Sequence, residues 1–350
     1  ENLTGGIGNI ALGREALESL TVGNNNVALG NFSLEVGNSS ENTAVGNYSG
    51  QNNTSTDQVF IGYSAGQHTT SGAGQTFVGH NAGKGISGGG LLTGTNNTGV
   101  GRDAGLNLQG NAFSNTFVGG NCGTGVTTGD ENTFIGVDTA AAVCTGSVNT
   151  GVGYGALQVV TSGTSNTAIG DRAGFAISSG SNLCAVGNDA SRTGSPGGQA
   201  STGSNAIYLG DENITAAYIQ VDWTVTSDER DKTDFTALDI GLDFVKAMKP
   251  YTFKWDQRSK YGDKTAEDYD LNAITADGTH KEDWLDLGFK AQDIKALEEA
   301  SNYKIADKTN LTVSITDDGK QYGMKYAKLV PILVKAIQEL EARVATLEGA

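Results

Sequence analysis

The chemistry a chain can do is bounded by which reactive side chains lie at workable spacings. Few do here. Cys122, Cys144 and Cys184 are an odd set without Cys-x-x-Cys spacing, and they read as buried small residues rather than a metal or disulfide frame. His68, His80 and His280 show no ligand spacing, and no phosphate or dinucleotide fingerprint follows a strand, so no cofactor and no metal is expected. Glycoside hydrolysis needs two carboxylates facing one groove, and residues 1–210 hold only 12 scattered acidic residues. One dense cluster remains, Ser227-Asp228-Glu229-Arg230-Asp231-Lys232. Taken alone it is an ordinary charged turn or helix start with Ser227 as the N-cap.

Two kinds of chain flank that cluster. Residues 1–210 contain 44 of the 51 glycines and only 17 charged residues; residues 211–350 contain 7 glycines, 45 charged residues and all three tryptophans. The net charge of −16 argues against wrapping nucleic acid or docking on anionic lipid. No apolar run is long enough for a membrane span, and no basic, apolar leader opens the chain, so neither membrane insertion nor a secretory signal is expected.

The glycine-rich part is a repeat array. The phrase Asn-Thr-x-(Val/Ile)-Gly ends at Gly46, Gly101, Gly119, Gly136, Gly153 and Gly170, and looser copies end at Gly13, Gly30, Gly62, Gly79, Gly187 and Gly210. Most steps are 16–18 residues. Thr and Val/Ile stand two apart on one face of a short strand, the middle residue points the other way, and the glycine permits a corner. Asn suits a turn or a stacked polar ladder. The pattern predicts a β-solenoid of about 12 coils of ~17 residues, roughly 55–60 Å long. One coil orders too many residues for the two aliphatic side chains it buries, so neighbouring coils, and further chains, must complete the core. Phe60, Phe77, Phe117 and Phe134 share a phase, read as a packing row between coils or chains rather than a sugar platform. Tyr48, Tyr63 and Tyr154 follow the glycines, where exposure is expected. The long steps carry Lys84–Leu92 and Ser191–Thr202, expected to leave as surface loops. Arrays of this kind resemble those of bacteriophage tail fibres and of the heads of trimeric autotransporter adhesins, in which three chains run side by side; that resemblance implies a trimer.

From Ala206 the pattern changes. Ile207-Tyr208-Leu209, Ala217–Val221 and Trp223–Thr226 read as strands, those within 211–226 being connecting strands. Downstream come Leu242-Asp243-Phe244-Val245, Met248-Lys249-Pro250, Tyr251–Trp255, Gly288–Asp293, Met324–Pro331 and Ala336–Leu340. Near the end Tyr326, Val330, Leu333, Ile337, Leu340, Val344 and Leu347 are spaced 4, 3, 4, 3, 4, 3, a heptad seam on a helix over 325–348. The alternative is an amphipathic helix packed on its own domain.

That ordered series over residues 227–350 resembles the endosialidase-type intramolecular chaperone domain that ends many phage tail fibres and tailspikes. The resemblance implies a small α+β domain that trimerises, templates folding of the β-rich fibre upstream and often cuts itself off. It places the scissile bond between Thr226 and Ser227 and makes Ser227 and Lys232 a catalytic dyad, with Asp228 and Arg230 in support. A hydroxyl needs a base, and a lysine serves as one only where burial or nearby cations disfavour its charge. Asp228, Glu229 and Asp231 would oppose this unless they point away. At Asp231 the chain departs from the family, whose members usually carry an apolar residue. The whole implies a homotrimeric tail-fibre distal segment of the virion tail, assembled in the host cytoplasm, meeting other tail proteins and a host glycan or outer-membrane receptor. The alternatives are a tailspike depolymerase acting on surface polysaccharide and a bacterial surface adhesin; the latter would need a C-terminal membrane barrel.

Overall fold

The computed structural model describes residues 5–86, 90–264, 266 and 268–349. Its chain divides into two compact units, Glu1–Asp211 and Glu212–Ala350.

The first unit is a β-solenoid. Each coil contributes one short strand: β1 Ile10–Leu12, β2 Val27–Leu29, β3 Thr43–Val45, β4 Val59–Ile61, β5 Thr76–Val78 and β6 Thr98–Val100. There follow β7 Thr116–Val118, β8 Thr133–Ile135, β9 Thr150–Val152, β10 Thr167–Ile169, β11 Leu183–Val186 and β12 Ala206–Leu209. They form one parallel sheet in sequence order. The register never slips: Thr133 faces Thr150, Phe134 faces Gly151 and Ile135 faces Val152.

The core lies on the opposite side of the strand from the one expected. The middle residues fill it: Ala44, Phe60, Phe77, Phe117, Phe134 and Ala168 have no exposed surface. The flanking Thr and Val/Ile point outward and are half-buried or exposed. The alternation was legible, but which face turns inward depends on the handedness of the coil, which the pattern leaves open. The phenylalanine row does pack between coils, with Phe60 on Phe77 at 5.9 Å and Phe117 on Phe134 at 6.1 Å between centroids. Volume is conserved along it. Phe77 is followed in the next coil by Gly99 and Phe134 by Gly151, where an added Cβ would sit 3.0 Å from the phenylalanine ring.

The asparagines form the polar ladder. Asn132 and Asn149 are fully buried. The Oδ1 of Asn132 accepts from the backbone N–H of Asn149 at 3.0 Å and from its side-chain nitrogen at 3.2 Å. The Asn149 side chain also donates to the Gly163 carbonyl at 2.9 Å. Each buried amide thus finds partners one coil away. The corner glycine is required twice over. Gly136 has φ +137°, and a Cβ there would lie 2.3 Å from the Gly153 carbonyl oxygen.

The two insertions do more than loop out. Leu92, at the end of the first, is fully buried and bridges Thr69 and Gly110; residues 87–89 lie outside the described set. In the second, Ser191, Ser195 and Ala200 are buried, and Gly197 lies so close to the Tyr208 ring that a Cβ would be 2.8 Å away. The last coil's large central residue needs a cover, and this loop supplies it.

The second unit is α+β. Helix α1 (Leu242–Ala247), α2 (Ala291–Ala300) and α3 (Leu329–Glu348) pack with two ribbons, β13 (Tyr251–Phe253) with β14 (Asp286–Gly288) and β15 (Val313–Ile315) with β16 (Tyr322–Met324). Its small core is Ile240, Phe244, Ile294, Val313, Leu329 and Ile332. No strand forms between Leu209 and a 3₁₀ turn at Glu229–Asp231, so the strands expected over 211–226 are absent from the single chain. Their apolar residues lack a partner to pair with: Tyr218 is 96 % and Val225 81 % exposed.

Candidate functional site

The 3₁₀ turn Glu229–Asp231 shapes the site. Its N-cap is Asp228 rather than Ser227; the Asp228 side chain accepts the Arg230 backbone N–H at 2.9 Å. The Arg230 guanidinium grips the same carboxylate, Nη2 to Oδ2 at 2.6 Å, and these bonds, the side-chain ones foremost, hold the Asp228 carboxyl below its usual range. Ser227 is thereby left just outside the turn. The turn brings Lys232 back onto it, the ammonium donating to Ser227 Oγ at 2.5 Å and to the Ser227 carbonyl at 3.2 Å. The hydroxyl and amine five residues apart are therefore brought together, immediately after Thr226.

The acidic neighbours take a different arrangement from the one feared. Asp228 is occupied by Arg230, and among the described residues Lys232 makes no ion pair with a carboxylate. Ser227 and Lys232 are both exposed to solvent in the single chain.

The C-terminal helix carries two apolar stripes. Leu329, Ile332 and Ala336 face the domain core. Glu339 continues that stripe as a cap, its carboxylate accepting the Leu242 backbone N–H at 2.7 Å. The expected heptad seam lies on the outside: Val330 is 57 %, Ile337 66 % and Leu347 78 % exposed. The self-packing alternative therefore describes other residues than the seam. Beside Leu333 a cavity of about 240 Å³ opens between Val245, Met248, Pro250, Phe289 and Ile332.

Two features were missed from the sequence. Glu298 on α2 is buried, and its carboxylate accepts from the backbone N–H groups of Leu311, Thr312 and Val313 and from Thr312 Oγ1, at 2.5–3.3 Å. Nothing in its spacing separates it from half-buried Glu299 one residue on, which pairs with Lys295 at 2.6 Å. In the solenoid, Glu15, Glu18 and Glu35 gather their carboxylates within 4.8 Å. The step from Glu18 to Glu35 is one coil, which was the available signal. Glu15 is held by Arg14 at 3.1 Å, and Gln51 donates to Glu35 at 2.7 Å. Of the rings that follow the glycines, Tyr63 and Tyr154 are exposed as expected, while Tyr48 is half-buried; Phe32 stacks on Tyr48 at 5.0 Å and Tyr63 on His80 at 5.2 Å, which covers one face of each of these rings. Cys122 and Cys144 are buried, burial pushing the Cys122 thiol up to about 12, but Cys184 departs from expectation by lying half-buried on the outward side of β11.

Comparison with curated proteins gives no match, and neither does comparison with solved structures. Comparison with protein families matches the family described as chaperone of endosialidase over residues 227–302. The match begins at Ser227 and spans the turn, α1, the first ribbon and α2. Residues 227–302 thus belong to an endosialidase-type chaperone domain, which follows a parallel β-solenoid in the same chain.

Proposed function

We propose that this chain is the distal, receptor-binding segment of a phage tail fibre, folded as a homotrimer by its own C-terminal domain and then released from it by self-cleavage between Thr226 and Ser227. The observation that carries the reading is the junction itself: a twelve-strand solenoid followed by a chaperone-family domain whose first residue bonds Lys232.

The trimer is supported by apolar surface that the single chain leaves uncovered, the α3 seam and the 217–226 segment above all. Cleavage follows from the dyad. Lys232 Nζ, in its neutral form, takes the Ser227 Oγ proton as the oxygen attacks the Thr226 carbonyl carbon. The amide C–N bond breaks, and the lysine returns the proton to the Ser227 nitrogen. The resulting ester on Oγ is hydrolysed by water to a Thr226 carboxylate and a free hydroxyl. A lysine works this way only when shielded from water. Both dyad residues are exposed in one chain, so neighbouring copies must supply the shield, and cutting follows assembly. Host recognition, by a surface glycan or an outer-membrane receptor, belongs to the polar outer faces of the solenoid.

Intact mass of wild type beside Ser227→Ala and Lys232→Ala tests the dyad. The expected result is a 227–350 product in wild type alone; an uncut chain in all three leaves a non-cleaving chaperone. Sedimentation of the Ser227→Ala chain tests the assembly, and a monomer would refute it.

A further inference from the structure

The outward face of the solenoid sheet has a composition that its own fold does not require. The last residue of every strand is Leu, Val or Ile, and the outward residue two before it is Thr, Val, Ile or Cys. None of these positions is charged, in a chain with net charge −16. The core is filled by the middle residues, so the constant Val/Ile phase serves nothing inside. Ile61 and Ile135 are each 39 % exposed and Ile169 is 44 % exposed. One residue past the corner glycine the outer surface is different in kind, carrying Arg14, His80, Arg102, Asp171 and Asn188. The apolar ribbon runs roughly 53 Å along the twelve strands and about 7 Å across them. That is the size of the largest apolar patch on a typical soluble chain, a patch that is often functional.

We infer that this face is where further copies of the same chain pack, so that the solenoids are joined through their sheets; the inference rests on the trimeric reading above. Two physical arguments select a like copy as the occupant. An in-register parallel sheet presents ridges at the strand spacing, and a second copy offers the same spacing along its whole length, insertions included. Two chains that each carry −16 repel wherever acidic groups meet, and this ribbon is free of them.

Cys184 is a built-in reporter, because it lies on the ribbon between Thr167 and Ile207 while Cys122 and Cys144 are buried. The experiment uses the full chain bearing Ser227→Ala. Maleimide labelling of Cys184 is expected to run at least tenfold slower than labelling of an added Ser162→Cys, an exposed position off the ribbon. Val118→Lys with Ile135→Lys is expected to release Cys184 to labelling and to make the solenoid protease-sensitive, whether or not the C-terminal domain still holds three chains together. Thr128→Lys with Ser162→Lys, exposed turn positions, is expected to change neither. An oligomer in which Cys184 labels as fast as Ser162→Cys overturns the face and leaves the trimer standing. A wild-type monomer overturns both. If the double lysine variant fails to fold, the wild-type labelling rates still decide.

Discussion

The solenoid and the C-terminal domain solve the same problem in opposite ways. In the solenoid the stacked asparagines are met one coil away, as Asn149 is by Asn132 and Gly163, and the middle of each strand from β2 to β12 is sealed. In the C-terminal domain a core of six buried apolar residues coexists with a helix whose heptad seam is open to water. The first unit is closed from β2 to β12 and leaves an apolar strip on one flank. The second leaves its long helix's apolar seam bare.

The sharpest way to break the contrast is at the backbone of the solenoid. Gly136→Val forces a β-branched residue into φ +137° against the Gly153 carbonyl. It is expected to cost more than about 4 kcal/mol and to abolish protease-resistant solenoid. In the other unit a side chain decides. Glu298→Ala leaves the N–H groups of Leu311, Thr312 and Val313 without their acceptor, and is expected to cost about 3 kcal/mol in thermal unfolding of residues 227–350 within the full chain. An equal tolerance of both changes would erase the distinction.

Two smaller effects refine it. Val148 is a β-branched residue held at φ +60°, where most coils place Glu, Asp, Asn or Ser. Val148→Asn is expected to stabilise the solenoid by about 1 kcal/mol, read as a higher denaturation midpoint. His68 has its folded-state affinity for a proton lowered, first by burial and then by Lys84. Below the unfolded pKa of about 6.5 the unfolded chain takes up a proton more readily than the fold does. Stability is therefore expected to fall as pH drops through 6.5 towards 5, and His68→Gln, which carries no titrating ring, should show a shallower loss. A slope unchanged by the substitution would assign the pH response to other groups.

What could be read directly from the chain was whatever repeats locally. The spacing of Gly119, Gly136, Gly153 and Gly170 sets one strand per coil, because only glycine fits that corner and the ladder admits one register. The ordered motifs from Ser227 identified the chaperone-type domain because a six-residue cluster and its downstream series are contiguous in sequence. Tertiary structure alone decided the rest. Strand alternation is symmetric between two faces, so only the closed coil shows that Phe134 is inside and Ile135 outside. Glu298 is separated by thirteen residues or more from the groups it anchors, and its burial is a property of the packed domain, not of its neighbours in the chain. The Ser227–Lys232 contact needed the intervening turn, which Asp228 caps and Arg230 clasps, to fold five residues back on themselves.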